Sequence, residues 1–273
     1  VENCKGIDCA IPLTVVKAKA IAEAGMKFVC RYLVPAQYAW KRLTRAEAEL
    51  ISAAGMKVVS VFQRGNNDAA GGATNGTRDG IAALQEAKSI GQPEGTAIYF
   101  AVDYDAQPAD YNAIEAYLRA AAKELPGYLI GVYGSYAVVD EMAKRGACSN
   151  FWQTYAWSKG RLSLAANLHQ YKNGQTLAGH TVDLNDGLGD EGWWDTHQQK
   201  GDNPVNNSQA TPLTLEDWER EAGLKAIDSL ACKGLLNEPD KWKLILKEDP
   251  AGVLSELPWL MFTMLDRVTE KIK

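Results

Sequence analysis

Apolar residues along the chain fall into short strand-like runs separated by longer stretches with helical spacing. The runs KGIDCAI (5–11), KFVCRYLV (27–34), KVVSVFQ (57–63), TAIYFAVDYD (96–105) and YLIGVYGS (128–135) are each followed by helical periodicity, at 13–24, 44–54, 77–90, 109–124 and 135–146. Two fragments repeat one another, AEAGMKFV (22–29) and SAAGMKVV (52–59), offset by 30 residues. Each reads as a helix end, a glycine just past it, and a strand. That spacing is the length of a βα repeat, which calls for parallel strands. Three more strands follow, FWQTYAW (151–157), NLHQYKN (167–173) and HTVDLND (180–186), with connections too short for crossover helices. The pattern predicts an α/β fold: an irregular (β/α) TIM-like barrel of about eight strands and fewer helices. An open doubly wound sheet would carry G-x-G-x-x-G after its first strand, and this chain has none there.

After WWDTHQQ the pattern changes. KGDNPVNNSQATP (200–212) is polar and rich in Asn, Pro and Gly, and reads as a linker between a barrel at 1–199 and whatever follows. Beyond it, LTLEDWEREAGLKAIDSLACKGLLN and ELPWLMFTMLDRVTEKIK have apolar residues at helical spacing. These predict a small C-terminal all-α module over 213–273.

Composition narrows the function. The chain has 273 residues, 46% hydrophobic and 23% charged, with a net charge of −5. That suits one large α/β domain plus a small module. No Lys/Arg run is present, which argues against nucleic acid or an anionic membrane as partner. No apolar run approaches the ~18 residues of a membrane span. The opening VENCKGIDCA lacks a basic start and an apolar core, so no signal peptide is expected in this chain. Five scattered cysteines (Cys4, Cys9, Cys30, Cys148, Cys232) form no CxxC, and only three histidines accompany them. Neither a metal site nor a cofactor is expected, and buried free thiols are the reading for the cysteines. Cys9 and Cys30 would share an outward face if Asp8 and Arg31 point inward on adjacent strands, but buried thiols remain favoured over a disulfide.

In such barrels the chemistry sits at the C-terminal ends of the strands. Those ends carry Asp8, Arg31, Gln63, the pair Asp103 and Asp105, Tyr133, Tyr155 and Trp157, Gln170, and Asp183 with Asn185. Asp103 and Asp105 share a strand face with Cα atoms roughly 6–7 Å apart. Taken alone, the pair reads more readily as a solvated strand end or a cap of the following helix. Four acids at matching strand ends shift the balance to a site. Carboxylates for acid/base work, amides for hydroxyls and aromatic faces for sugar rings suit a saccharide. Individual residues have structural readings too. Arg31 is either an ion-pair partner of Asp8 or a substrate contact. Tyr155, Trp157 and Tyr171 either stack on sugars or pack. Gln170 contacts ligand or orders a loop. Trp193 and Trp194 close the barrel. The Gly-rich RGNNDAAGGATNG (64–76) is a candidate mobile rim.

With those residues in view, GIDCA, RYL, KRLT, IYFAVDYD, GVYGSY, FWQTYAWS, QY and VDLN resemble the glycoside-hydrolase-like domain (domain of unknown function 1906). That domain is related to the lysozyme-type barrels of glycoside hydrolase family 25. The resemblance covers roughly 5–195 and implies the barrel. It also implies action on the glycan strands of peptidoglycan, between N-acetylmuramic acid and N-acetylglucosamine, as a muramidase of endolysin type working outside the cell or in the wall. By motif position Asp8 matches the first-strand acid, Asp103 the first acid of the pair, Asp105 the proton-donor Glu, and Asp183 the last-strand acid. Asp105 is one methylene shorter than that Glu, and a shortfall of ~1 Å costs on the order of a hundredfold. The alternative is a non-catalytic glycan-binding protein derived from the same barrel. The tail resembles those of phage and prophage lysins of Gram-positive bacteria, which implies attachment to the cell envelope; a packing or dimerisation module reads equally well.

Overall fold

The computed structural model describes residues 4–197 and 217–248. The chain divides into two compact units, Val1–Asp202 and Asn203–Lys273. In the first, β1 (Cys4–Asp8), β2 (Phe28–Tyr32), β3 (Lys57–Phe62), β4 (Ala97–Ala101), β5 (Leu129–Gly134), β6 (Asn150–Thr154), β7 (Leu168–Leu177) and β8 (His180–Gly187) close into a barrel in chain order. Five helices connect the early strands: α1 (Val15–Glu23), α2 (Arg45–Ala53), α3 (Gly72–Ile90), α4 (Tyr111–Glu124) and α5 (Tyr136–Lys144). Strands β1 to β7 pair in parallel, and β8 runs antiparallel to both β7 and β1. The short connections of the last strands thus resolve into a helix-free β6–β7 link and a β7–β8 hairpin.

Local chemistry sets the helix boundaries. Thr14, Thr44 and Ser135 cap α1, α2 and α5, their hydroxyls accepting from the N–H of Lys17, Glu47 and Val138. The repeated glycines Gly25 and Gly55 follow α1 and α2 with φ of +93° and +83°, a backbone that side-chain-bearing residues rarely adopt.

Strand alternation sorts the apolar side chains into two cores. Phe28, Cys30, Val59, Val61, Tyr99, Trp152 and Leu168 fill the barrel. Ile7, Val29, Val58, Ile98, Phe100 and Val132 face the helices. Gly6 leaves room inside for the Phe28 ring. The mouth at the strand N-termini is closed by residues after β8. Trp193 packs against the inner core, its ring 5.9 Å from that of Phe28. Trp194, fully buried in the outer core, pairs with Val58 and donates its indole N–H to the Ser60 hydroxyl at 3.1 Å. Tyr99 donates to the Glu191 carbonyl at 2.9 Å.

Several strands stop earlier than their apolar runs. β4 ends at Ala101, so Asp103 and Asp105 lie beyond it on a loop and the shared strand face does not form. The stretch 64–76 is not a free rim. It contains a 3-10 turn (Asp68–Gly71) and the start of α3, and Asp68 accepts the N–H groups of Arg64 and Gly65 at 2.8 Å each. Cys9 lies in the outer core and Cys30 inside the barrel, so the two do not share a face, and both are free.

In the second unit α6 (Asp217–Cys232) packs on α7 (Pro239–Glu248), with Leu236 and Trp242 buried. The stretch read as a linker (200–212) and the tail beyond α7 lie outside the described residues.

Candidate active site

Alternation along β1 turns Gly6 and Asp8 inward and Ile7 outward. Asp8 therefore ends its strand inside the mouth, 7% exposed. Its Oδ2 accepts from Gln170 Nε2 at 2.8 Å and from Asn185 Nδ2 at 2.7 Å. Both amides are held in that orientation by their own oxygens. Gln170 Oε1 accepts from the Tyr133 hydroxyl at 2.8 Å and the Thr154 hydroxyl at 2.9 Å. Asn185 Oδ1 accepts from Trp152 Nε1 at 2.8 Å. A fixed donor fork thus faces Asp8 from β7 and β8.

Asp183 arrives by a different route from the one strand ends suggest. Because β8 is antiparallel, its C-terminal end lies at the closed mouth, where Gly187 pairs with Cys4. Asp183 sits earlier in the strand, directly opposite Asp8. Cross-strand partners of this kind hold their Cβ atoms about 4.5–5.5 Å apart. Gln170 Nε2 reaches Asp183 Oδ2 at 3.4 Å, so one amide nitrogen serves both carboxylates, and Asp183 Oδ1 accepts from the Gly174 N–H at 2.7 Å. Across the mouth Asp103 Oδ2 accepts from Gln63 Nε2 at 3.0 Å, and its backbone N–H donates to the Asn66 carbonyl at 3.1 Å.

These surroundings set the protonation. Burial pushes Asp8 up to about 7, the negative charge of Asp183 adds to the shift, and the amides of Gln170 and Asn185 with the Arg31 guanidinium oppose it. Burial also raises Asp103 and Asp183, opposed by Gln63 and Lys41 for the first and by the Gly174 N–H for the second. The result is a carboxylic acid that holds a proton near neutrality beside carboxyl groups with lesser shifts, the arrangement that divides acid and base roles.

A cavity of about 160 Å³ is lined by Asp8, Tyr32, Val61, Gln63, Ala101, Asp103, Tyr133, Trp152, Gln170, Asn173 and Asp183. It brings together six of the residues singled out from the sequence: Asp8, Asp103, Asp183, Gln63, Tyr133 and Gln170. Asn185 stands behind Asp8, fully buried. Asp105 does not join them; it is exposed on the loop and absent from the lining. Tyr155 and Trp157, beyond the end of β6, are exposed and also outside the lining.

Arg31 is neither partner of Asp8 nor substrate contact. It is fully buried on the helix side of β2, where Nε meets Glu47 Oε1 at 2.7 Å and Nη2 meets Glu47 Oε2 at 3.1 Å. The strand ends one residue later than Arg31, and a one-residue offset exchanges faces; Tyr32 takes the inward place. Tyr32, Trp152 and Asn173 were missed. Alternation would have found Tyr32 from Cys30 and Trp152 from its strand, whereas Asn173 belongs to an irregular stretch of the hairpin. Among the described residues no group of three or more His, Cys, Asp or Glu is placed to hold a metal ion.

Residues 19–188 match the model of the Rv2525c-like, glycoside hydrolase-like domain. The chain belongs to this family. FadG of Bacillus subtilis is 34% identical over 160 residues, 53% of this chain and 27% of FadG. The chain thus spans about a quarter of that relative. Rv2525c of Mycobacterium tuberculosis, a protein named for an inferred peptidoglycan hydrolase activity, is 31% identical over 183 residues, 63% of this chain and 76% of that one. The crystal structure of Tat-secreted Rv2525c in complex with L-tartrate superposes with a TM-score of 0.64 at 29% identity, covering 70% of this chain and 98% of that one. Family 25 glycosyl hydrolases are among the structural neighbours, the one from Bacillus anthracis at a TM-score of 0.44 and 17% identity over 69% of this chain and 90% of that one.

Proposed function

We propose that the protein hydrolyses the glycan strands of peptidoglycan, as a muramidase-type glycosidase acting at the cell envelope, outside the cytoplasm. The observation that carries this reading is Asp8: a buried carboxyl raised to about 7, paired across the strands with Asp183 and facing the same small polar cavity as Asp103. Glycoside hydrolysis requires a carboxylic acid that still holds its proton and a second carboxylate that does not. Asp8 supplies the proton to the leaving glycosidic oxygen. Asp103, held by Gln63, activates or replaces the attacking group. Asp183 keeps the proton on Asp8 by repulsion and, with Gln170, orients it. The family match and the name of Rv2525c support the substrate. We assign the C-terminal unit to attachment at the envelope, in keeping with the lysin-like sequence of its tail.

A second reading has one observation in its favour. The position that matches the family 25 donor is Asp105, and it is exposed and off the cavity. A barrel that holds wall glycan without cutting it would look the same there. Purified peptidoglycan separates the two: new reducing ends on incubation support the hydrolase, and retention in a pull-down with no release supports the binder. Neither release nor retention would remove peptidoglycan as the ligand.

A further inference from the structure

The cavity around Asp8 is smaller than the roughly 300–1,000 Å³ of ordinary ligand pockets, so a chain-like substrate must continue past its rim. The exit is visible on one side. A groove of about 360 Å³ opens between the β1–α1 connection and the start of β8, and shares Asp8, Tyr32 and Asp183 with the cavity. Its remaining walls include Ile11, Trp40 and Thr181. Ile11 and Trp40 are 60% and 62% exposed, large apolar side chains left open beside a row of polar groups.

The groove is built rather than incidental. Arg31 donates to the Ala10 carbonyl at 2.9 Å and to that of Cys9, and the His180 ring meets the Ile11 carbonyl at 3.1 Å, so one wall is pinned from both sides. On the other wall Lys41 is 6% exposed, and its ammonium lies 4.6 Å from the Tyr32 ring centroid, 5.8 Å from that of Tyr38 and 5.5 Å from that of Trp40. A cation set among three rings attracts the face of each. The contact modestly favours the place of the exposed indole at the rim.

Resting on the reading of the cavity as a glycan site, we propose that this groove is a subsite for the sugars of the strand that lie beyond the cavity, with Trp40 as the platform under a pyranose ring. The strand then leaves over β1, β2 and β8, away from the exposed Tyr155 and Trp157 beyond β6. Trp40 is a binding residue, distant from the reacting bond, and adds affinity for longer strands.

The test is the affinity of full-length protein for peptide-free peptidoglycan glycan strands, disaccharide against octasaccharide, by calorimetry. Wild type binds the octasaccharide more tightly. Trp40→Ala cuts that gain by about tenfold or more, as loss of an aromatic anchor does, while the disaccharide is held as before. Trp40→Phe keeps most of the gain, and because Trp40 is exposed, unchanged unfolding curves show that the fold survives. The proposal is overturned if Trp40→Ala leaves the length dependence intact, or if Trp157→Ala removes more of it than Trp40→Ala. Equal wild-type affinity for both lengths also removes the groove while leaving the cavity reading in place. Wild type that binds neither strand overturns the cavity reading and the groove together.

Discussion

Replacing Asp8 by asparagine isolates the most perturbed acid in the cavity. The amide keeps an oxygen able to accept from both Gln170 and Asn185, and places an NH₂ where the protonated acid carries its hydroxyl, so the variant imitates the neutral form. The sign of the pH effect follows from the raised value. Well below pH 3.8 the carboxyl is protonated in folded and unfolded chains alike, and the native state suffers no penalty. As pH rises from the ordinary value of 3.8 to about 7, the unfolded chain releases the proton first and native stability falls. Above about 7 the full cost is in force. The rise from 3.8 to about 7, at about 1.4 kcal/mol per pH unit, sets a ceiling of about 4 kcal/mol, part of which comes from the negative charge of Asp183. Urea unfolding followed by near-ultraviolet circular dichroism, from pH 4 to 8, gives the comparison. Asp8→Asn should come closest to wild type at pH 4 and exceed it by about 2–4 kcal/mol at pH 8, with the divergence complete near pH 7. Asp103 and Asp183 also shift upward, so wild-type slope alone decides nothing; the difference between the two curves does. Parallel curves across the range would refute the buried-acid argument.

The same acid predicts that release of reducing ends from peptidoglycan falls as pH passes about 7, when Asp8 loses its proton; a rate flat to pH 9 would remove Asp8 as donor. Asp103→Asn should cut that rate by about 10²–10⁴-fold, while Asp105→Asn changes it by less than about threefold, and the reverse order would restore the exposed loop residue to the chemistry. Gln170→Leu, which strips Asp8 and Asp183 of a donor and leaves Tyr133 and Thr154 hydroxyls without their acceptor, should destabilise by about 2–4 kcal/mol and move the alkaline limb of activity upward. Arg31→Met should cost about 3–5 kcal/mol by stranding buried Glu47. Arg31→Met with Glu47→Leu should recover only the part due to the stranded charge, because the Cys9 and Ala10 carbonyls and the Leu13 N–H still lose their partners; a double variant no more stable than Arg31→Met would refute the stranded-charge argument.

What the sequence determined is what short-range chemistry controls. The two AGMK repeats place a helix end, a left-handed glycine and a strand within a few residues, and Gly25 and Gly55 adopt that backbone wherever the unit sits. Asp8 was legible because an acid interrupts the short apolar run 5–11, and the run's alternation decides its face. Tertiary structure decided the rest. Where a strand stops depends on its neighbours: β4 ends at Ala101, which carries Asp103 to the cavity wall and leaves Asp105 outside. The face of Arg31 turned on a single residue of register, which no window along one strand contains. Asp183 reaches Asp8 only because β8 reverses and pairs with β1 across 175 positions of chain, a consequence of closing the ring. The proton on Asp8 is likewise a property of the assembled barrel, since burial and a like charge from the opposite strand come into being only when the strands meet.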